Sequence, residues 1–339
     1  MNVVKSYKKV LEKKLFFIIF LILSLVFLSI VSINIGSSDM TIMDSILTLM
    51  GKSSNEFNHI IFNIRLPRIL GGIFIGMTIA LSGLIIQSVL NNPLASPSTL
   101  GISNASVLGA NISLILFAKI GIESSMFLTG LSSFIAAVIC TFIIIMFSSM
   151  KKSSNATVLL AGIALNFLFS ALTILIQFFS TDEEIAYAVS WTFGDLGRIN
   201  INEVKFVAIV LVVSALIIYK LRWKYNAMDM GESTAHSLGI NIKTMRNLSI
   251  IVASLNTGIG VAYVGMIGFV GLLAPQISKR IIGEDKRFLI PASMLLGSII
   301  VLVSDCIGRV AVKPHILPIG AITSLFGAPF FIYILFKEN

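Results

Sequence analysis

The side chains able to carry chemistry inside the long apolar runs of this 339-residue chain are mostly neutral amides and hydroxyls: Gln87, Asn104, Asn111, Asn166, Gln177, Asn256 and Thr257. One acid, Asp305, ends such a run, and Arg309 follows four residues later. On a helix that spacing puts the two on one face as an ion pair. The three histidines (His59, His236, His315) fall in loops or at run ends, and Cys140 and Cys306 both sit in apolar sequence. No buried aspartate pair, metal-binding His motif or Ser–His pair occurs within the runs, so metal-site, disulfide and intramembrane-protease chemistry have no candidate residues. Ion-driven transporters usually hold Asp, Glu, Lys, Arg or His at mid-membrane depth. Neutral amides there, with Gln87, Asn104, Asn166 and Asn256 as candidate path residues, favour transport energised from outside the chain. An ion-coupled secondary transporter remains the alternative of a different class.

The elements that must hold these residues follow from composition. The chain is 56% hydrophobic and 12% charged, against about 25% charged in a soluble domain. So few charges cannot cover a water-facing surface, and the expected class is an all-α polytopic membrane protein in a lipid bilayer. A net charge of +9 does not point to nucleic acid, because the cations lie in short clusters between apolar runs.

Charge-free intervals run over 15–38, 69–118, 124–150, 153–181, 206–219, 247–278, 288–304 and 314–336. About 20 helical residues cross a hydrocarbon core. The interval 69–118 is therefore two spans, split at the turn signal Asn91-Asn92-Pro93 to Pro97-Ser98. The interval 247–278 divides among its glycines, Gly258 to Gly271, because basic clusters flank it on both sides and imply an even number of crossings. Lys205 and Lys220 snorkel at the ends of 206–219. About ten transmembrane helices result, with both termini on one side. Putting the termini in the cytoplasm leaves 17 of the 25 lysines and arginines inside and eight outside, the direction of the positive-inside rule. The run after the basic N-terminus is too long for a signal peptide and lacks a small-x-small site, so it reads as the first span. The expected layout is a single permease domain over 1–339. It comprises a cytoplasmic tail 1–14, ten helices over about 15–336, and one long inside loop over about 221–246.

In this topology Arg65, Arg68 and Arg309 lie at external helix mouths. Two readings of them stand on the residues alone: anchoring of helix ends at the headgroups with Pro67 starting the helix, or presentation of a rigid fork to carboxylates. Within the inside loop, Gly231-Glu232 to Ala235-His236 and Leu238-Gly239 suit short helices meeting at glycine. Gly239 stands as a stop, Asn241 as a cap for the next helix, and Glu232 and His236 share a face. A solvated loop is the plain alternative. Gly72-xxx-Gly76 is a helix-packing spacing.

Several motifs recur in one order. Arg65-Leu66-Pro67-Arg68 leads to Asn92-Pro93-Leu94-Ala95-Ser96-Pro97 and Leu100-Gly101-Ile102-Ser103-Asn104. Ser237-Leu238-Gly239, Gly268-Phe269-Val270-Gly271 to Ala274-Pro275-Gln276, Asp305-Cys306-Ile307-Gly308-Arg309, Leu317-Pro318-Ile319-Gly320 and Gly327-Ala328-Pro329 follow. From about residue 40 onward the chain resembles the FecCD-type permeases of ABC importers for iron–siderophore, haem and cobalamin. It departs at Gln276, where the family usually has His. The resemblance implies ten helices per subunit, a second permease subunit (identical or paralogous), and two cytoplasmic ATPase subunits that bind ATP, with no cofactor on the permease itself. It also implies an extracytoplasmic binding protein docked by Arg65, Arg68 and Arg309, and a coupling loop of Gly231, Glu232, Ala235, His236, Leu238 and Gly239 against the ATPase. The expected role is a non-enzymatic permease in a bacterial cytoplasmic membrane. Its expected cargo is a ferric siderophore, with haem or cobalamin as alternatives.

Overall fold

The computed structural model describes residues 2–36, 42–49, 55–122, 125–150, 154–312 and 315–336. Helix α1 (Asn2–Asn34) runs unbroken through the segment expected as a tail, so residues 2–14 extend the first span as helix. Two short helices, α2 (Ile42–Leu49) and α3 (Asn55–His59), precede a wide π-helical turn (Ile60–Arg65) that opens directly into α4 (Leu66–Leu90). Pro67 sits in the first turn of α4, where its missing N–H costs nothing. The next helix, α5 (Ile102–Asn111), continues as a π-helical stretch to Phe117. Then come α6 (Met126–Ser148), α7 (Asn155–Phe178) and α8 (Asp182–Thr192). A 3₁₀ turn (Leu196–Arg198) leads into α9 (Ile201–Lys220). The chain closes with α10 (Arg222–Asp229), α11 (Glu232–Ser237), α12 (Ile242–Val264), α13 (Val270–Ile282), α14 (Lys286–Val310) and α15 (Ile319–Phe336).

Among the described residues, seven helices are long and apolar enough to cross a membrane: α1, α4 with its lead-in, α6, α7, α9, α12 and α14. The shorter α5, α13 and α15 complete the ten expected segments in the expected order. The 206–219 run gains its length at the Lys205 end, because Asn200 caps α9 and its box partner Glu203 lies inside the helix. The split of 69–118 falls after Leu90, where Asn91 turns left-handed (φ 45°). The split of 247–278 falls at Gly265–Phe269. Gly265 has φ 80°, a conformation costly for any side chain, and so ends α12. Restarting at Val270, α13 has 13 residues and is only about 20 Å long.

The bundle is arranged around α4. Of its span 78% is buried, against 11% for α1 and 17% for α7, which face outward. What lets α13 and α14 lie so close to α4 is missing side chains. A Cβ on Gly83 would fall 1.8 Å from the Gly271 carbonyl oxygen, and one on Gly76 would fall 2.6 Å from that of Gly297. The Gly72-xxx-Gly76 spacing is thus packing. The obstructing atoms are the backbone of Gly271, which has no side chain to move aside, so Gly83→Ala is expected to cost about 1–3 kcal/mol or to prevent folding. Thermal unfolding of the purified chain in detergent checks this, and wild-type stability for the variant would contradict it.

Candidate functional site

The interrupted helices meet around one cavity of about 490 Å³. Its walls are the turn before α5 (Ser96–Thr99, with Ser103), Asn166 of α7, Thr257 of α12, the α12–α13 break (Met266–Phe269), the end of α8 (Thr192–Gly194) and the start of α15 (Gly320, Ser324). No charged side chain is among the described residues that line it. The walls are held by side-chain-to-backbone and backbone bonds. Asn166 Nδ2 donates to the Ser98 carbonyl at 3.0 Å, and the Ser98 and Ser103 hydroxyls lie 3.0 Å apart. At one end of the cavity Phe193 and Met266 form a parallel bridge. Met266 N donates to Thr192 O (3.1 Å), Asp195 N to Val264 O (2.8 Å) and Ile319 N to Gly194 O (2.9 Å). Three chain breaks are thereby tied into one rim. Such a chamber can hold a bulky ligand by shape, hydroxyls and amides, without a fixed charge to bind it tightly.

Of the four amides expected on a path, only Asn166 lines this cavity. Asn104 stands behind it, its Nδ2 3.4 Å from the Asn166 carbonyl. Gln87 is elsewhere: its Nε2 donates to Gly271 O (3.2 Å) and its Oε1 accepts from Gln276 Nε2 (2.9 Å), stitching α4 to α13 beside a separate 190 Å³ cleft. Asn256 is fully buried and donates to Val252 of its own helix. Neither lines the cavity in this structure, because their side chains are turned into the bundle. Phe193 belongs to the outside stretch 181–200, for which the family resemblance alone implies a gate at the exit of the path, whereas Met266–Phe269 had no sequence signal beyond the glycines around 265–271.

The three arginines cluster at the end of the bundle nearest this rim, but they face inward. Arg65, Arg68 and Arg309 are 5%, 7% and 9% exposed. Asp305, 1% exposed, sits between Arg68 (Nε 2.9 Å) and Arg309 (Nε 2.9 Å). Arg309 also donates to the carbonyls of Ser32 (3.1 Å) and Ile35, and Arg65 donates to that of Ile33 (2.5 Å). These are the orphan carbonyls at the C-terminus of α1, where the helix dipole favours cations. The i, i+4 pair was legible. The inward orientation was not, because the acceptors lie over 200 residues away for Arg68 and Arg309.

At the far end of α12 the expected knob is present. Gly231 (φ 105°) and Gly239 (φ 77°) bracket α11, and the Asn241 side chain accepts from Thr244 N at the start of α12. Glu232 pairs with Arg246 (2.8 Å), a charged partner that outcompetes a shared face with His236. Ala235 is fully buried, whereas His236 and Leu238 are exposed. The knob is anchored behind by the Tyr225 hydroxyl, 2.7 Å from Ser249 Oγ. Burial pushes that phenol up to about 12 despite the opposing Ser249 bond. The Asp229–Lys286 ion pair ties α10 to α14.

A many-helix membrane bundle with interrupted helices around a neutral cavity is the build of a permease. Residues 22–337 match the FecCD transport family, and the chain belongs to it. It is 40% identical to a protein of Methanocaldococcus jannaschii named as an ABC transporter permease, over 99% of both chains. It is 36% identical to the Fe(3+)-citrate import system permease of Bacillus subtilis, over 96% of both. Identity to the hemin transport system permease of Yersinia pestis is 32%, over 94% of this chain and 95% of that one. A solved metal-chelate type ABC transporter in an inward-facing conformation superposes with a TM-score of 0.82 at 28% identity, covering 96% of this chain and 99% of that one. The chain is an ABC importer permease of the metal-chelate class, whose ATP hydrolysis is done by separate ATPases.

The Gln87 bonds carry a prediction. In Gln87→Leu the buried Gln276 amide and Gly271 carbonyl lose their partner, at about 1–3 kcal/mol each. Thermal unfolding is expected to fall accordingly, with cargo selectivity unchanged in the protein that folds. Lost selectivity at wild-type stability would return Gln87 to the path.

Proposed function

We propose that this chain forms, with a second permease subunit, the membrane channel of an importer that brings a ferric siderophore across the cytoplasmic membrane of a bacterium. Both termini lie in the cytoplasm in this reading, and the arginine end faces out. The observation that carries it is the 490 Å³ cavity at the junction of the broken helices, lined by hydroxyls, amides and apolar groups. A chelate presents the metal inside an organic shell, so shape and neutral polar contacts suit it, while a bare cation would need carboxylates. Iron citrate and haem carriage by relatives support the class. Haem or cobalamin is the second reading of the cargo, since the same lining suits any organic shell. No cofactor is bound by the chain itself, and ATP acts on the partner subunits.

One of the two ATPases engages this chain's knob of Gly231, Glu232, Ala235, His236, Leu238 and Gly239. The exposed His236 and Leu238 make the contact, with Ala235 packed beneath. In the assembled transporter, cysteine at position 236 or 238 is expected to crosslink to the ATPase, and cysteine at 235 is not. Equal crosslinking from 235 would contradict that geometry. Outside, a binding protein docks over Arg65, Arg68 and Arg309. Its carboxylates must compete there with Asp305 and the α1 carbonyls.

Reconstitution with the ATPase and binding protein tests the function. ATP-dependent accumulation of a radiolabelled ferric siderophore is expected. Accumulation of haem or cobalamin instead would move the cargo assignment, and uptake by the chain alone on an ion gradient would overturn it.

A further inference from the structure

Arg68 is buried beneath the chain that forms the cavity rim. The 3₁₀ turn after Asp195 lies directly on its guanidinium, and a Cβ on Gly197 would come within 2.9 Å of Arg68 Nη1. Asp195 caps that turn through Gly197 N at 2.8 Å. Arg68 Nη2 lies 2.9 Å from Asp305 Oδ1 and 3.4 Å from Asp195 Oδ1, yet it is aligned as a hydrogen-bond donor to neither. The guanidinium therefore has unspent donor capacity. Its two carboxylates differ in kind. The Asp305 side chain is fully buried and also held by Arg309, whereas that of Asp195 is 39% exposed. Of the two, Asp195 is the one that a carboxylate arriving from solvent could displace.

Asp195 is also part of the rim. Its backbone N–H donates to Val264 O, and the two residues before it, Phe193 and Gly194, line the cavity. We propose that Asp195 is a releasable latch. Its pairing with Arg68 holds the extended segment Phe193–Asp195 across the cavity end, and a carboxylate of the docked binding protein takes its place on Arg68 and frees that segment. This deepens the docking reading above and rests on it for the source of the carboxylate. The latch itself does not need that source.

The test uses the assembled transporter in spheroplasts, with Cys140 and Cys306 replaced by alanine and a cysteine at Ser98 inside the cavity. Labelling by a membrane-impermeant maleimide reports opening from the arginine side. Without binding protein, Asp195→Asn is expected to label roughly three- to fivefold faster than the parent, the scale of a half-exposed ion pair. Asp195→Glu is expected to return towards the parent rate. Adding binding protein is expected to accelerate the parent and to leave Asp195→Asn, already released, little changed. Equal labelling of Asp195→Asn and the parent without partner overturns the latch. Binding protein that co-purifies with the parent but leaves its labelling unchanged overturns the exchange. Binding protein that does not co-purify at all defeats the docking reading, while the partner-free comparison still decides the latch.

Discussion

Backbone N–H and C=O groups at membrane depth have no water to bond, so every break in a helix must be satisfied by protein. The whole arrangement turns on how this chain meets that demand at one place. Thr192, Gly194 and Val264 offer carbonyls to Met266, Ile319 and Asp195, a small patch of strand pairing inside an otherwise helical bundle. With those bonds made, α12 can stop, α13 can restart deeper and α15 can begin alongside, and a cavity is left between them. The break also stores local strain: Phe269, not a glycine, holds φ 62° on the cavity wall, at a cost on the order of 1–3 kcal/mol. Close approach of α4 to α13 and α14, through Gly83 and Gly76, fixes the frame against which these segments are positioned.

Charge is used sparingly and at the edges. Asp305 binds two arginines in a site that excludes water, and the surplus positive charge caps the carbonyls ending α1. An uncompensated buried cation would be costly, so the α1 carbonyls complete the network and belong to it structurally. The cluster binds α1, α4 and α14 together, and through Arg68 it also touches the strand at the cavity rim. On the opposite end, the Asp229–Lys286 and Glu232–Arg246 pairs fasten the knob to the helices behind it.

How much of this was legible in the sequence depended on range. The split at Asn91, a break among the glycines of 258–271 and the glycine-bracketed α11 follow from local rules, because each is set by turn residues, whereas the ends of α1 and α9 overrun the charges expected to stop them. The i, i+4 pair Asp305–Arg309 is equally local. What escaped needed partners far along the chain. Gln87 looks like any intramembrane amide until Gln276 and Gly271, over 180 residues on, are placed beside it. Arg68 reads as an exposed mouth residue until Asp305 arrives from α14. Ala235 looks like the centre of an exposed knob, yet a six-residue helix must bury one face to be stable at all, and Ala235 is on it. Phe193 and Met266 pair as strand without any strand-like alternation around them, so periodicity could not reveal the rim.

For the proposed import to run through this cavity, the rim of Phe193 and Met266 must open as cargo passes. A disulfide between cysteines at these two paired positions, in a background lacking Cys140 and Cys306, tests it directly, since bridge-paired residues suit the spacing a disulfide requires. Chelate uptake by the reconstituted transporter should be lost on oxidation and regained on reduction. Full uptake with the crosslink demonstrably formed would show that cargo takes another route.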